Sequence, residues 1–254
     1  MNLIRRVISL HRTLFFISLW LFLLSHSFSW GKNIGLLVVA TGKYIQFVPD
    51  LIKSAEQFFC KNHKITYFIF TDSLFPSSDE IKCIYHPRLG WPFDTMMRYH
   101  AYYKNQMVFE EQDYLYATDA DMLFVDTVGD EILGERVATL HPGFVKMRGS
   151  YETAPRSNAY VNSKEGKYYF AGGFYGGSLT EFIKIAQTNS EKIDDDLERG
   201  IIAVWHDESH WNRYCIDNPP TVIISPSYCY PESWDLNYQK KLLALDKNHD
   251  EIRK

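Results

Sequence analysis

The order of elements near the front of the chain constrains it most: an apolar strand, an amphipathic helix and a second apolar strand, each closed by a polar turn. Asn33-Ile-Gly-Leu-Leu-Val-Val-Ala40 is a continuous apolar run that stops at Thr41-Gly42, the pattern of a strand buried on both faces. Pro49 to Cys60 sets Leu51, Ile52, Ala55, Phe58 and Phe59 at helical spacing, with the proline in the first turn. Lys64-Ile-Thr-Tyr-Phe-Ile-Phe70 then ends at Thr71-Asp72. This order predicts a βαβ unit, a parallel sheet and a ligand crevice at the carboxyl ends of its strands. A second helix is expected from Trp91 to about Phe109, with Arg98 inside it, followed by a buried strand Tyr114-Leu-Tyr-Ala-Thr118. Later segments alternate short strands with two helices, roughly Leu179–Leu197 and Glu208–Ile216, without a repeat or a Pro/Ser-rich linker. The expectation is one α/β domain over residues 31–254.

Residues 1–30 read differently. Arg5, Arg6 and Arg12 precede Leu14-Phe-Phe-Ile-Ser-Leu-Trp-Leu-Phe-Leu-Leu24 and the small-residue exit Ser25-His-Ser27-Phe-Ser29. That is the layout of a signal peptide or, extended from Thr13 to Trp30, of a short membrane anchor. The reading adopted is a signal-anchor whose basic end stays in the cytoplasm, making a single-pass type II membrane protein with everything after Trp30 on the far side. Of the 27 basic residues, three lie before Trp30, so 24 face 31 acidic residues beyond it and that body is about -7 net. Such a body is a poor partner for nucleic acid, whose non-specific affinity comes from Lys and Arg on phosphates. Cys60, Cys83, Cys215 and Cys229 form no CxxC pair and are too scattered for a disulfide framework.

Three clusters carry chemistry. Asp119-Ala-Asp121 stands at the end of the predicted strand, where extended backbone would turn both carboxylates to one side. Two carboxylates suit Mn2+ or Mg2+ when a substrate diphosphate completes the shell. Ala171-Gly-Gly-Phe-Tyr-Gly-Gly177-Ser178 has the spacing of neither GxGxxG nor a Walker loop; it is either a close approach of backbone to a ligand or a glycine-rich turn before the next helix. Trp205-His-Asp-Glu-Ser-His-Trp211 places His206 and His210 four apart, but Asp207 stands where HExxH needs glutamate, so zinc hydrolysis is disfavoured. The remaining reading is a strand ending at Trp205, with Asp207 or Glu208 opening a helix and one carboxylate directed into the crevice.

Taken in order, these segments resemble glycosyltransferase family 6, the retaining α1,3-galactosyl and N-acetylgalactosaminyl transferases. The likeness runs through Ile34-Gly-Leu and Lys43-Tyr44, Trp91 with Arg98, Asp119-Ala-Asp121 and Val128-Gly129, His141-Pro-Gly-Phe144, Tyr151, Ala159-Tyr160, Ala171–Ser178, Trp205–His210, Ser225-Pro226, and Lys247-Asn-His249 with Arg253. The resemblance implies a GT-A type, Rossmann-like mixed sheet and a UDP-sugar donor whose diphosphate is bridged by Mn2+ held at Asp119 and Asp121. It implies donor contacts at Val39, Thr41, Tyr44, Arg98, Ala120, Ala171, Gly172, Gly173 and Asp207, with Lys247 and Arg253 in a mobile tail closing over the pyrophosphate.

Glu208 matches the family's catalytic carboxylate, and His141 and Trp205 its sugar contacts; Glu232 stands in for the acceptor-binding acid of mammalian relatives. Small residues at Ala171-Gly172-Gly173, with Gly143 in agreement, leave room for an N-acetyl group and favour UDP-GalNAc over UDP-Gal. The expected activity is transfer to a terminal galactose of a glycan acceptor, in the Golgi lumen where the cell is eukaryotic. The competing expectation is a catalytically silent, lectin-like module on the same fold.

Overall fold

The computed structural model describes residues 31–253. The membrane segment expected over residues 1–30 lies outside the described residues, and among the described residues no helix is long and apolar enough to cross a membrane.

Ten strands run in the order β1 (Asn33–Val39), β2 (Lys64–Thr71), β3 (Ile81–Tyr85), β4 (Tyr114–Asp119), β5 (Met122–Phe124), β6 (Arg136–Leu140), β7 (Phe170–Ser178), β8 (Val222–Ile224), β9 (Tyr230–Pro231) and β10 (Leu242–Ala244). The main helices are α1 (Val48–Phe58), α2 (Arg98–Lys104), α3 (Leu179–Glu198) and α4 (His206–Asp217). Seven strands form one sheet in the order β3-β2-β1-β4-β7-β6-β8, while β5, β10 and β9 form a smaller one. β1 pairs in parallel with both β2 and β4, and α1 makes the crossover, as the alternation of elements requires. β7 runs antiparallel to β4 and β6, so the sheet is mixed, as a GT-A fold requires.

Both faces of the sheet are covered, which is why β1 is apolar throughout. Leu36 and Val38 pack with Leu51, Ile52 and Ala55 of α1 on one face. On the other, Leu37, Leu115 and Ala117 meet Tyr99 and Tyr102 of α2, Phe182 of α3, and Trp211 and Tyr214 of α4.

Three local expectations are corrected. The glycine-rich segment 171–178 is not a turn but β7, wedged between two strands: a Cβ at Gly176 would lie 2.3 Å from the Leu115 carbonyl oxygen. The helix expected from Trp91 to Phe109 is three pieces, Phe93–Met96, α2 and Gln106–Phe109. Met97 and Asn105 leave helical geometry, and the Asn105 amide takes the Ala101 carbonyl at 2.8 Å. No strand ends at Trp205, because the needed amides are occupied: Val204 N–H donates to Glu152 (2.7 Å) and Trp205 N–H to Ser209 Oγ (2.9 Å).

α4 carries a buried histidine. His210 is 1% exposed, its Nδ1 has no partner, and Nε2 lies 3.7 Å from Asp196. Burial holds its pKa below the ordinary 6.5 despite the pull of Asp196. The unfolded chain therefore binds the proton more readily, and stability falls as pH drops below 6.5. Urea midpoints measured from pH 7 to 5 are expected to decline more steeply for the wild type than for His210→Gln.

Candidate active site

The carboxyl ends of β1 and β4 open into a cavity of about 230 Å³. It is lined by nine residues singled out from the sequence: Val39, Thr41, Tyr44, Arg98, Asp119, Ala120, Asp121, Lys247 and Arg253. Asp119 is the last residue of β4, and Asp121 lies in the turn leading to β5. The two carboxylates thus converge through a turn rather than through strand alternation. Asp72, at the end of β2, braces the rim by accepting the Gly42 N–H at 2.8 Å.

Arg98 ties the back of this cavity together. Its Nη2 donates to Asp119 Oδ1 (2.9 Å), Nη1 to the Gly172 carbonyl (3.2 Å) and Nε to the Thr95 carbonyl (3.3 Å), while Nε also pairs with Asp207 Oδ2 (3.0 Å). Burial opposes the charge on Arg98, but Asp207 and Asp119 outweigh it and hold the guanidinium ionised. Asp207, 2% exposed, is pushed up to about 6 by burial, and its second oxygen has no partner.

Glu208 lies in the first turn of α4 and reaches β7. Its Oε2 accepts the Gly172 N–H and its Oε1 the Tyr169 hydroxyl, both at 2.8 Å. Burial pushes Glu208 up to about 7, against the lowering effect of those two bonds. Gly172 therefore presents its N–H to Glu208 and its carbonyl to Arg98. A Cβ on Gly173 would stand 3.0 Å from Cys229 Sγ and 3.4 Å from Asp119 Oδ2. Ala171, Gly172 and Gly173 are thus brought between the aspartate pair and Glu208.

The C-terminal segment lies across the cavity. Lys247 Nζ pairs with Asp121 Oδ2, and the Arg253 guanidinium stacks 3.5 Å over the Trp91 ring. Arg88 and Lys43 bind the carbonyls of Arg253 (2.7 Å) and Glu251 (2.8 Å). Among the described residues no three His, Cys, Asp or Glu side chains gather as a metal cage. Asp119 Oδ2 and Asp121 Oδ1 receive no hydrogen bond from the described residues, and the Lys247 ammonium already stands as a cation against the pair. This donor set fits a divalent ion that takes its remaining ligands from a bound diphosphate.

Of the acceptor candidates, neither His141 nor Trp205 lines the cavity: His141 caps the turn Pro142–Phe144 and Trp205 caps α4. The His141 ring lies tilted against Phe144 and edge-on to Tyr169, and burial lowers its pKa to about 4. The Trp205 indole donates to Ser150 Oγ at 2.8 Å. Glu232 Oε2 instead accepts the Asp246 N–H (2.8 Å), bracing the chain near β9 and β10. Beside the His141 turn stands half-exposed Trp234, 3.7 Å from a Cβ at Gly143. The sequence predicts no role for Trp234, Tyr169, Cys229 or the cavity-lining Asp94, Thr95 and His249. His249, inside the Lys247-Asn-His249 motif, and Tyr169, two residues before Ala171–Ser178, carry a positional hint.

The profile of Glycosyltransferase family 6 matches residues 22–254. Histo-blood group ABO system transferase 1 of Rattus norvegicus is 37% identical over 241 residues, 88% of this chain and 69% of that protein. Globoside alpha-1,3-N-acetylgalactosaminyltransferase 1 of Homo sapiens is 32% identical over 236 residues, 85% and 67% of the two chains. O-antigen biosynthesis glycosyltransferase WbnI of Escherichia coli is 25% identical over 225 residues, 85% of this chain and 96% of that protein. The fold and these matches together define a glycosyltransferase. The chain belongs to glycosyltransferase family 6.

Tyr169 stabilises the ionised form of Glu208, so its removal raises the carboxyl pKa further. Tyr169→Phe is expected to lower transfer about tenfold, the scale of one hydrogen bond to a charged group, and to move the acid limb of the pH–rate profile to higher pH. An unmoved limb would show that the hydroxyl does not act on Glu208.

Proposed function

We propose that the protein is a retaining α1,3-glycosyltransferase that moves GalNAc, or Gal as the lesser donor, from a UDP-sugar to a terminal galactose of a glycan, with Mn2+ or Mg2+ as cofactor. The observation that carries this reading is the single buried network in which Arg98 joins Asp119, Gly172 and Asp207 while Gly172 also binds Glu208. It joins the aspartate pair, which would serve as the diphosphate-metal site, to the strand that binds Glu208, a carboxyl pushed up to about 7 by burial.

The uridine would lie on Val39, Thr41 and Tyr44, at the ends of the parallel strands. Asp119 and Asp121 would hold the metal, which when bound supplies positive charge to the departing UDP. Lys247 and Arg253 lie over the same cavity and add cations to the pyrophosphate while excluding water. Glu208 would face positive charge developing at the anomeric carbon, and that charge favours its ionised form. Its role is either to form a glycosyl-enzyme bond or to support front-face departure and attack; both need the same carboxylate.

The donor preference rests on space. Alanine and two glycines at 171–173 leave the wall between Cys229 and Glu208 thin, where a methyl on Gly173 would press on Cys229 Sγ at 3.0 Å. His141 and Trp205, with Trp234 beside them, would receive the acceptor. The type II membrane arrangement and lumenal placement belong to the same proposal, supported by the charge and hydropathy of residues 1–30.

The full chain in detergent is expected to release UDP faster from UDP-GalNAc than from UDP-Gal, given Mn2+ and a galactose-terminated acceptor. EDTA should abolish the release. Gly173→Ala should shift the donor ratio toward Gal, and Glu208→Gln should lower transfer about a hundredfold or more. Glycan binding without turnover in wild type and Glu208→Gln alike would establish the lectin-like alternative.

A further inference from the structure

Past the His141 turn lies an open groove of about 510 Å³ whose walls are the segments 145–148 and 163–167. Lys146, Arg148, Lys164 and Lys167 line it, and among the described residues none of the four forms an ion pair with a carboxylate. The carboxylate in its wall, Glu165, faces Arg213 at 3.1 Å and accepts the Asn162 N–H at 3.0 Å, so it does not neutralise the groove. Four uncompensated cations in a body of about -7 net charge are a local reversal of sign. Like charges brought to one groove without a carboxylate partner raise a positive local potential, which attracts an anion.

The groove is built rather than draped. Gly149 packs so closely on Tyr169 that a Cβ there would lie 2.2 Å from the ring, and Gly166 packs on Tyr151, where a Cβ would lie 2.5 Å away. Tyr151 and Tyr169 meet edge to face at 5.0 Å, and the Tyr151 hydroxyl donates to the Tyr168 carbonyl at 2.6 Å. Arg148 is pinned over the Tyr151 ring at 4.7 Å and donates to the Asn162 carbonyl at 3.1 Å, bridging the two walls. Both walls therefore rest on one aromatic pair, and the Tyr169 hydroxyl of that pair binds Glu208. The first wall begins just after the His141 turn and leads through Gly149 to Ser150, which accepts the Trp205 indole N–H.

We infer that this groove is an extension of the acceptor site that binds an anionic group, phosphate or carboxylate, carried by the acceptor beyond its terminal galactose. The inference rests on the acceptor reading of His141 and Trp205 and adds a charge requirement to it.

The test compares three acceptors that share one galactose-terminated oligosaccharide and differ in the distal group: a neutral alkyl chain, an alkyl phosphate, or a uronic acid. The full chain in detergent is assayed with and without Lys164→Glu/Lys167→Glu, with circular dichroism melts to verify folding. The wild type should prefer an anionic acceptor in kcat/KM by about tenfold at low salt, and the preference should shrink as salt shortens the screening length. The charge-reversed variant should lose that ratio, and the phosphate and uronate arms show which anion is favoured. Equal use of all three by the wild type, or a preference that survives reversal, overturns the inference. So does stimulation of neutral and charged acceptors alike by anionic vesicles, which would assign the groove to a membrane surface. No turnover with any acceptor is failure of the transfer reading; the groove is then judged by calorimetric binding of the same phosphorylated and neutral glycans, where equal affinities overturn it. If the double variant misfolds, Lys146→Glu is measured in its place.

Discussion

The structure of the site depends on one buried cation. Arg98 is 8% exposed, yet it reaches the end of β4 through Asp119, the β7 backbone through the Gly172 carbonyl, and the start of α4 through Asp207. Removing one member of a buried charge pair costs about 3–5 kcal/mol, because the partner is left uncompensated, and here two carboxylates share the one guanidinium. A lysine would supply the charge but not the planar fork that bonds in several directions at once. The spacing between the aspartate pair, the small-residue strand and the first turn of α4 that carries Asp207 and Glu208 is therefore a property of this side chain more than of any loop.

Sheet topology explains why those three features can meet. β1 and β4 run parallel and end together, with Val39 opposite Asp119, whereas β7 enters alongside β4 from the opposite direction. The carboxyl end of β4 consequently lies next to the amino-terminal part of β7, where Ala171, Gly172 and Gly173 stand. A purely parallel sheet would have placed the far end of β7 there. The antiparallel insertion brings to the crevice the one stretch of β7, Ala171–Gly173, that carries a single methyl, and Glu208 is bound there by the Gly172 amide.

The parts of this arrangement legible in the sequence are those with a strong local signature. Continuous apolar runs ending in polar turns located β1, β2 and β4, and hence the rim at Thr41 and the Asp119-Ala-Asp121 pair. Family likeness supplied Lys247 and Arg253, which no periodicity would bring 126 and more residues back to Asp121; the structure lays both over the cavity. What stayed hidden depends on tertiary partners. The apolar residues at 201–204 read as a strand, but Glu152 and Ser209 take the backbone amides of Val204 and Trp205 that a ladder would need. Tyr169 and Trp234 resemble ordinary core or surface aromatics until the turn at His141 and the carboxylate of Glu208 are set beside them.

The aromatic pair Tyr151 and Tyr169 carries this dependence furthest. On one side the Tyr169 hydroxyl fixes Glu208; on the other the same ring is the surface against which Gly149 must lie without a Cβ. A loop pressed that tightly against a ring cannot shift without moving the ring, since interiors are close-packed and a displacement of a few tenths of an ångström is felt by every neighbour. A contact made by the cationic wall at Arg148 would therefore reach, through the Tyr151–Tyr169 pair, the hydroxyl that holds Glu208. On the proposed reading, an anionic group held in the groove and the carboxylate of Glu208 are joined by this packing, with Gly149 seated on Tyr169 and Gly166 on Tyr151.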